Sequence, residues 1–158
     1  MRILLACTAV LFLAGCAAMH RNRTAAVLDR PFRSNGEQIF FTATSQRGTS
    51  ITSDAAMGMM GSSPLACASC HGPDGRGGQV QMMMRSFVAP DIRYKVLTAE
   101  EMAHEDEEEH PPYTDEAIKR AITQGVNPAG EPLEWPMPRW KMSEADLEDL
   151  VGYLESLP

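Results

Sequence analysis

Two thiols separated by two residues, with an imidazole next in line, constrain this chain more than any other feature. They stand in Cys67-Ala68-Ser69-Cys70-His71. The spacing C-x-x-C-H reads as covalent attachment of a c-type haem. Within a single helical turn two sulfurs reach the two vinyl groups of one porphyrin, and the following imidazole is aimed at the iron. A structural zinc site wants four nitrogen or sulfur ligands, and the chain has no second Cys pair. A thioredoxin-like redox pair calls for a βαβ context after the motif, whereas Gly72-Pro73-Asp74-Gly75-Arg76-Gly77-Gly78 reads as a loop. The expected cofactor is one covalently attached haem c, with Cys67 and Cys70 as its thioether positions and His71 as the proximal iron ligand.

Size and charge narrow the remaining possibilities. A chain of 158 residues allows one domain and a tail, and 44% hydrophobic side chains suffice for a core. A formal charge of −7 speaks against nucleic-acid binding. Methionine is in surplus at 11 residues, and Met57, Met59, Met60, Met82, Met83 and Met84 flank the motif in two clusters. Soft thioethers select Cu(I), so a copper patch is one reading of the clusters. Packing of irregular apolar space around a large ligand is the plainer one, and they are expected to wall the pocket.

An axial His leaves the sixth iron position to be assigned, and its occupant decides the chemistry. Towards the C-terminus the chain reads Trp135-Pro136-Met137-Pro138-Arg139-Trp140-Lys141-Met142-Ser143. Here it resembles the class I cytochrome c family, in which a Met-Pro step ahead of the last helix donates a thioether sulfur to the iron. The resemblance implies Met137 as the second axial ligand; Met142 or another side chain remains an alternative. Prolines on both sides of Met137 are expected to stiffen an extended path, because the residue before Pro avoids helical angles. Trp135 and Trp140 are expected to shield the Met side, and Trp140 or Arg139 could reach a haem propionate.

Three helices are expected. Residues 143–157 carry a Ser143 cap, acidic side chains in the first turns, and an apolar stripe through Leu147, Leu150, Val151, Leu154 and Leu157. Residues 114–125 form a second, capped by Thr114 and stopped by Gly125. A weaker one runs from about Asn35 through Phe41. The resemblance implies an all-α, cytochrome c-like fold whose N- and C-terminal helices cross around one haem, with Gly36 and Phe40 meeting Leu150 and Tyr153. It covers roughly residues 34–158. Two stretches depart from compact family members: a long Gly/Ser/Thr/Met-rich segment at 41–65 and an acidic loop at 98–112.

The N-terminus reads as an export signal. Arg2 precedes an apolar run at residues 3–13, too short to cross ~30 Å of hydrocarbon. Leu13-Ala14-Gly15-Cys16 then resembles the bacterial lipobox, which implies lipidation of Cys16. The expected organisation is a signal peptide at 1–15, a lipid-anchored tether at 16–33 and a cytochrome c domain at 34–158. Ala17 rather than Asp follows Cys16, which weakly favours the outer over the inner membrane.

Charge is uneven along the chain. Residues 17–95 hold nine basic and five acidic side chains, and residues 96–158 hold four basic and sixteen acidic ones. The run 105–109 is wholly acidic, between His104 and His110. A solvated loop is the bland reading of that run, a docking patch for a basic partner the functional one, and a cation site with the two histidines a third. The expected function is single-electron transfer between redox protein partners on the periplasmic side of a bacterial membrane, with no small-molecule substrate and no catalysis by the isolated chain. One alternative is the electron-accepting haem subunit of a larger periplasmic dehydrogenase. Another is a haem enzyme or gas sensor with an open iron site, which requires that Met137 not bind.

Overall fold

The computed structural model describes residues 30–54, 65–82, 85–99 and 110–158. The signal segment, most of the tether, the side chains of both Met clusters, His104 and the acidic run 105–109 lie outside the described residues. The chain divides into two units, Met1–Phe32 and Arg33–Pro158, and the second holds every described helix and strand.

Helix α1 spans Asn35–Thr42. Its first turn is closed by Ser34 Oγ, which accepts from the Glu37 amide at 3.1 Å, and Ala43 ends it in the left-handed region at φ 54°. The last helix of the chain, Glu144–Ser156, begins in the same manner at Ser143, whose Oγ accepts from the Asp146 amide at 3.2 Å. Between them lie α2 (Cys67–His71), α3 (Tyr94–Leu97) and α4 (Asp115–Gln124), so the last helix is α5. Thr114 caps α4, and Gly125 closes it at φ 66°, both as the sequence predicts.

The core is the crossing of α1 and α5. A methyl group on Gly36 would fall 1.9 Å from the Asp149 carbonyl oxygen, so only a hydrogen there lets the backbones approach this closely. The Phe40 ring lies 5.2 Å from that of Tyr153, and Phe40 and Leu150 are fully buried. This is the contact the family resemblance implies.

A polar network ties the segment after α1 to the same helix. The Asp146 carboxylate, wholly buried, accepts from Asn35 Nδ2 at 2.9 Å, Ser45 Oγ at 2.6 Å and Ser143 Oγ at 2.6 Å, and also from Thr49 Oγ1. Burial alone would raise its pKa. The four donors outweigh burial and hold the carboxyl well below the usual carboxylate range. Arg47 reinforces the seam through Asp149 at 2.6 Å.

Helices carry the core, but the all-α expectation omitted two small antiparallel pairs. β1 (Thr52–Ser53) pairs with β4 (Trp140–Lys141), and β2 (Gly78–Met82) forms a hairpin with β3 (Arg85–Ala89). The segment read as a loop at 72–78 therefore ends at Gly77, and Gly78 already pairs with Ala89. The alternation Val80 inward against exposed Gln79 and Gln81 is the period-two signal of a strand. β1 and β4 are two residues each, too short for any periodic signal.

Candidate haem centre

Cys67 and Cys70 sit one turn apart on α2, so their sulfurs share a face of the helix. The helix is held at its start by the Ser69 amide, which donates to the Ala66 carbonyl at 2.9 Å, and at its end by the Gly72 amide on Ala68 at 3.1 Å. Both thiols are free and half-buried. Burial pushes the Cys67 thiol up to about 12 and raises that of Cys70, so both are protonated at neutral pH.

His71 is 6% exposed, and its Nδ1 stands 2.9 Å from the Pro90 carbonyl oxygen. A carbonyl can only accept, so the proton resides on Nδ1 and the lone pair on Nε2. Burial lowers the imidazole pKa more than the Pro90 carbonyl and Asp91 raise it. The ring is therefore neutral near pH 7, the form that ligates metals. Pro90 is itself fixed from both sides, by the hairpin that ends at Ala89 and by the Ile92 amide, which donates to Gly75 at 2.8 Å.

Cys67, Cys70 and His71 line a cavity of about 830 Å³. Its walls are apolar: Ile118, Ala121 and Ile122 from α4, Leu150 and Leu154 from α5, and Phe87 and Ala89 from β3. Met137 and the buried Trp140 line the same space, whereas Met142 does not. Among the described residues Asp91, Glu131 and Glu134 contribute carboxylates to the lining, and no Lys or Arg does. Among the lining residues Val88 is 75% and Trp135 59% exposed. Trp135 lines the same cavity as Met137.

The loop carrying Met137 departs from the extended path expected of its prolines. The Met137 amide donates to the Glu134 carbonyl at 3.2 Å, which closes a turn, and the Trp135–Pro136 peptide is cis. Arg139 is turned to the carbonyls of Met137 and Leu133, within the protein, rather than into the cavity. His110 lines the cavity and packs edge-on against Tyr113 at 5.2 Å. Among the described residues no cluster of acidic, Cys and His side chains forms a further metal site.

The donor set fits a haem. Two thiols on one helical face meet the demand of covalent attachment, a neutral imidazole offers Nε2, and a thioether shares an apolar cavity within the ~300–1,000 Å³ range of cofactor pockets. Sequence reasoning did not find Pro90, which sets the His71 tautomer from 19 positions away. No local pattern marks such a carbonyl. A family model described as Cytochrome c matches residues 9–158. No curated protein and no solved structure matches the chain.

Proposed function

This chain belongs to the cytochrome c family, carries a covalent haem c and transfers electrons, and from that premise we propose that it is a single-electron carrier with His71 and Met137 as axial ligands. When bound, the haem supplies an iron that alternates between the ferrous and ferric states. Cys67 and Cys70 hold it against loss. His71, fixed through Nδ1 by Pro90, offers Nε2 in one orientation. Met137 offers a soft, neutral donor that favours the reduced state, and the apolar walls disfavour the added positive charge of the oxidised one.

One observation carries the reading: a neutral, buried His71 and Met137 line one apolar cavity. Met137→Ala is the test. The ferric protein should lose the weak long-wavelength absorption of sulfur–iron ligation, and the reduction potential should fall by about 0.1 V, a fraction of the ~0.8 V that axial ligands span. An unchanged band in the variant would sink the assignment.

Partner contact is proposed where the lining residues Trp135 and Val88 expose apolar surface and the described lining residues contribute carboxylates without a cation. A redox protein with a basic rim suits that chemistry. Trp135→Ala should slow electron exchange with the physiological donor about tenfold, the scale of a central aromatic contact, and leave spectrum and potential unchanged. The wild-type rate should fall as salt rises. A rate insensitive to both would place docking elsewhere.

For location, we propose a lipid on Cys16 that tethers the domain to the periplasmic side of a bacterial membrane. The basic start, the short apolar run and Leu13-Ala14-Gly15-Cys16 support it. Among the described residues no helix is long and apolar enough to cross a membrane. Cys16→Ser should move the haem-stained protein from the membrane pellet to the soluble periplasmic extract. Retention of the variant in the pellet would refute the anchor.

A further inference from the structure

We propose that Arg139 is the residue that positions Met137, a clamp that closes the ligand loop from behind; the proposal rests on Met137 being the axial ligand. The need for such a clamp is written in the loop. Pro132, Pro136 and Pro138 lack amide hydrogens, so the stretch around Met137 has few donors with which to satisfy its own carbonyls. The Arg139 guanidinium supplies them. Nη2 donates to the Leu133 carbonyl at 2.7 Å, and Nη1 donates to the carbonyl of Met137 itself. One planar, permanently charged group thereby joins the two ends of the Leu133–Met137 turn.

The clamp is anchored at Gly125 and at Asp54. Its guanidinium lies on Gly125, where a methyl group would fall 1.7 Å from Nε, so the last residue of the α4 cap is shaped to admit it. Gly125 also accepts the Leu133 amide at 2.7 Å, which starts the loop from the same point. The backbone of Arg139 is paired both ways with Asp54, its amide donating to Oδ1 at 2.7 Å and its carbonyl accepting from the Asp54 amide at 3.1 Å. Arg139 does not itself line the cavity. It acts through Met137 and is a positioning residue.

A loop that holds its Met in place excludes competing ligands, because an exogenous base binds only when the thioether has moved away. Its apparent affinity scales with the population of that open state. Weakening the clamp should raise this population without altering the donor atom.

The experiment compares holoprotein forms of wild type, Met137→Ala, Arg139→Leu and Arg139→Lys, titrating the ferric state with imidazole and recording the long-wavelength sulfur–iron band and the thermal midpoint. Arg139→Leu should bind imidazole at least tenfold more tightly than wild type and show a weakened band. Arg139→Lys, which can reach one carbonyl but not bridge two, should gain about threefold. If Arg139→Leu yields no folded holoprotein, Arg139→Lys decides, and affinity equal to wild type overturns the clamp. If Met137→Ala binds imidazole tightly while the Arg139 variants bind within twofold of wild type, the ligand assignment stands and the clamp falls, even if their thermal midpoint drops. If wild type lacks the band, or Met137→Ala binds no more tightly than wild type, the ligand assignment falls and takes the clamp with it.

Discussion

Gly36→Ala should destabilise this protein by about 3 kcal/mol or more. An added methyl would stand 1.9 Å from the Asp149 carbonyl oxygen, 2.6 Å from its carbon and 2.9 Å from Tyr153 Cβ. The first two atoms are backbone of α5, which no rotamer change relieves. The helices must separate instead, and Phe40 and Leu150 lose the contact that buries them. Overpacking a core costs about 1–3 kcal/mol where side chains can adjust, so a clash with helix backbone should exceed about 3 kcal/mol. That is a large share of the ~5–15 kcal/mol that hold a domain together. The intrinsic helix preference for Ala over Gly, about 1 kcal/mol, acts the other way and does not offset it. Urea unfolding of the holoprotein checks this: a loss under about 1 kcal/mol would mean that the crossing is looser than described.

Asp146→Ala should come next in severity, and its effect is tied to pH. Removing the carboxylate takes the shared acceptor from buried Asn35, half-buried Ser45 and Ser143, and exposed Thr49. With hydrogen bonds to a charged group at about 1.5–3 kcal/mol each, and water replacing only some of them, the loss should be about 3 kcal/mol or more. The folded carboxyl lies below its unfolded value. Its contribution is therefore complete above the ordinary Asp pKa of ~3.9 and is lost as pH falls from there towards the folded pKa. Asp91 adds in the same direction: burial raises it, but the Arg93 guanidinium at 2.5 Å prevails. Wild-type stability should thus decline steeply below about pH 4, and the Asp146→Asn variant, less stable throughout, should decline less. Equal slopes in the two proteins would show that Asp146 is not the titrating group.

Much of the haem centre was legible because its parts are local. Cys67, Cys70 and His71 lie within five consecutive residues, and the α4 and α5 caps at Thr114 and Ser143 sit beside the amides they satisfy. Met137 stands out through the Met-Pro step that the family resemblance marks, and it lines the same cavity as His71. Other elements carried a signal that led elsewhere. Asp146 reads as one of several acids favoured by the α5 dipole, and only the fold brings Ser45 and Thr49 to it from about a hundred positions away. The prolines around Met137 read as an extended path, whereas the Met137 amide closes a turn on the Glu134 carbonyl. The hairpin of β2 and β3 was masked by the glycines that lead into it.

What the sequence alone determined is the attachment chemistry and the helical frame, since both depend on residues within a turn or two of one another. The tertiary structure alone decided which carbonyl orients His71, which guanidinium closes the Met137 loop, and which donors keep Asp146 ionised. Each of those is a bond between groups that the local pattern does not pair. A backbone carbonyl is the same at every position, and an arginine after a proline looks like any surface charge. Only packing chooses which of them meet.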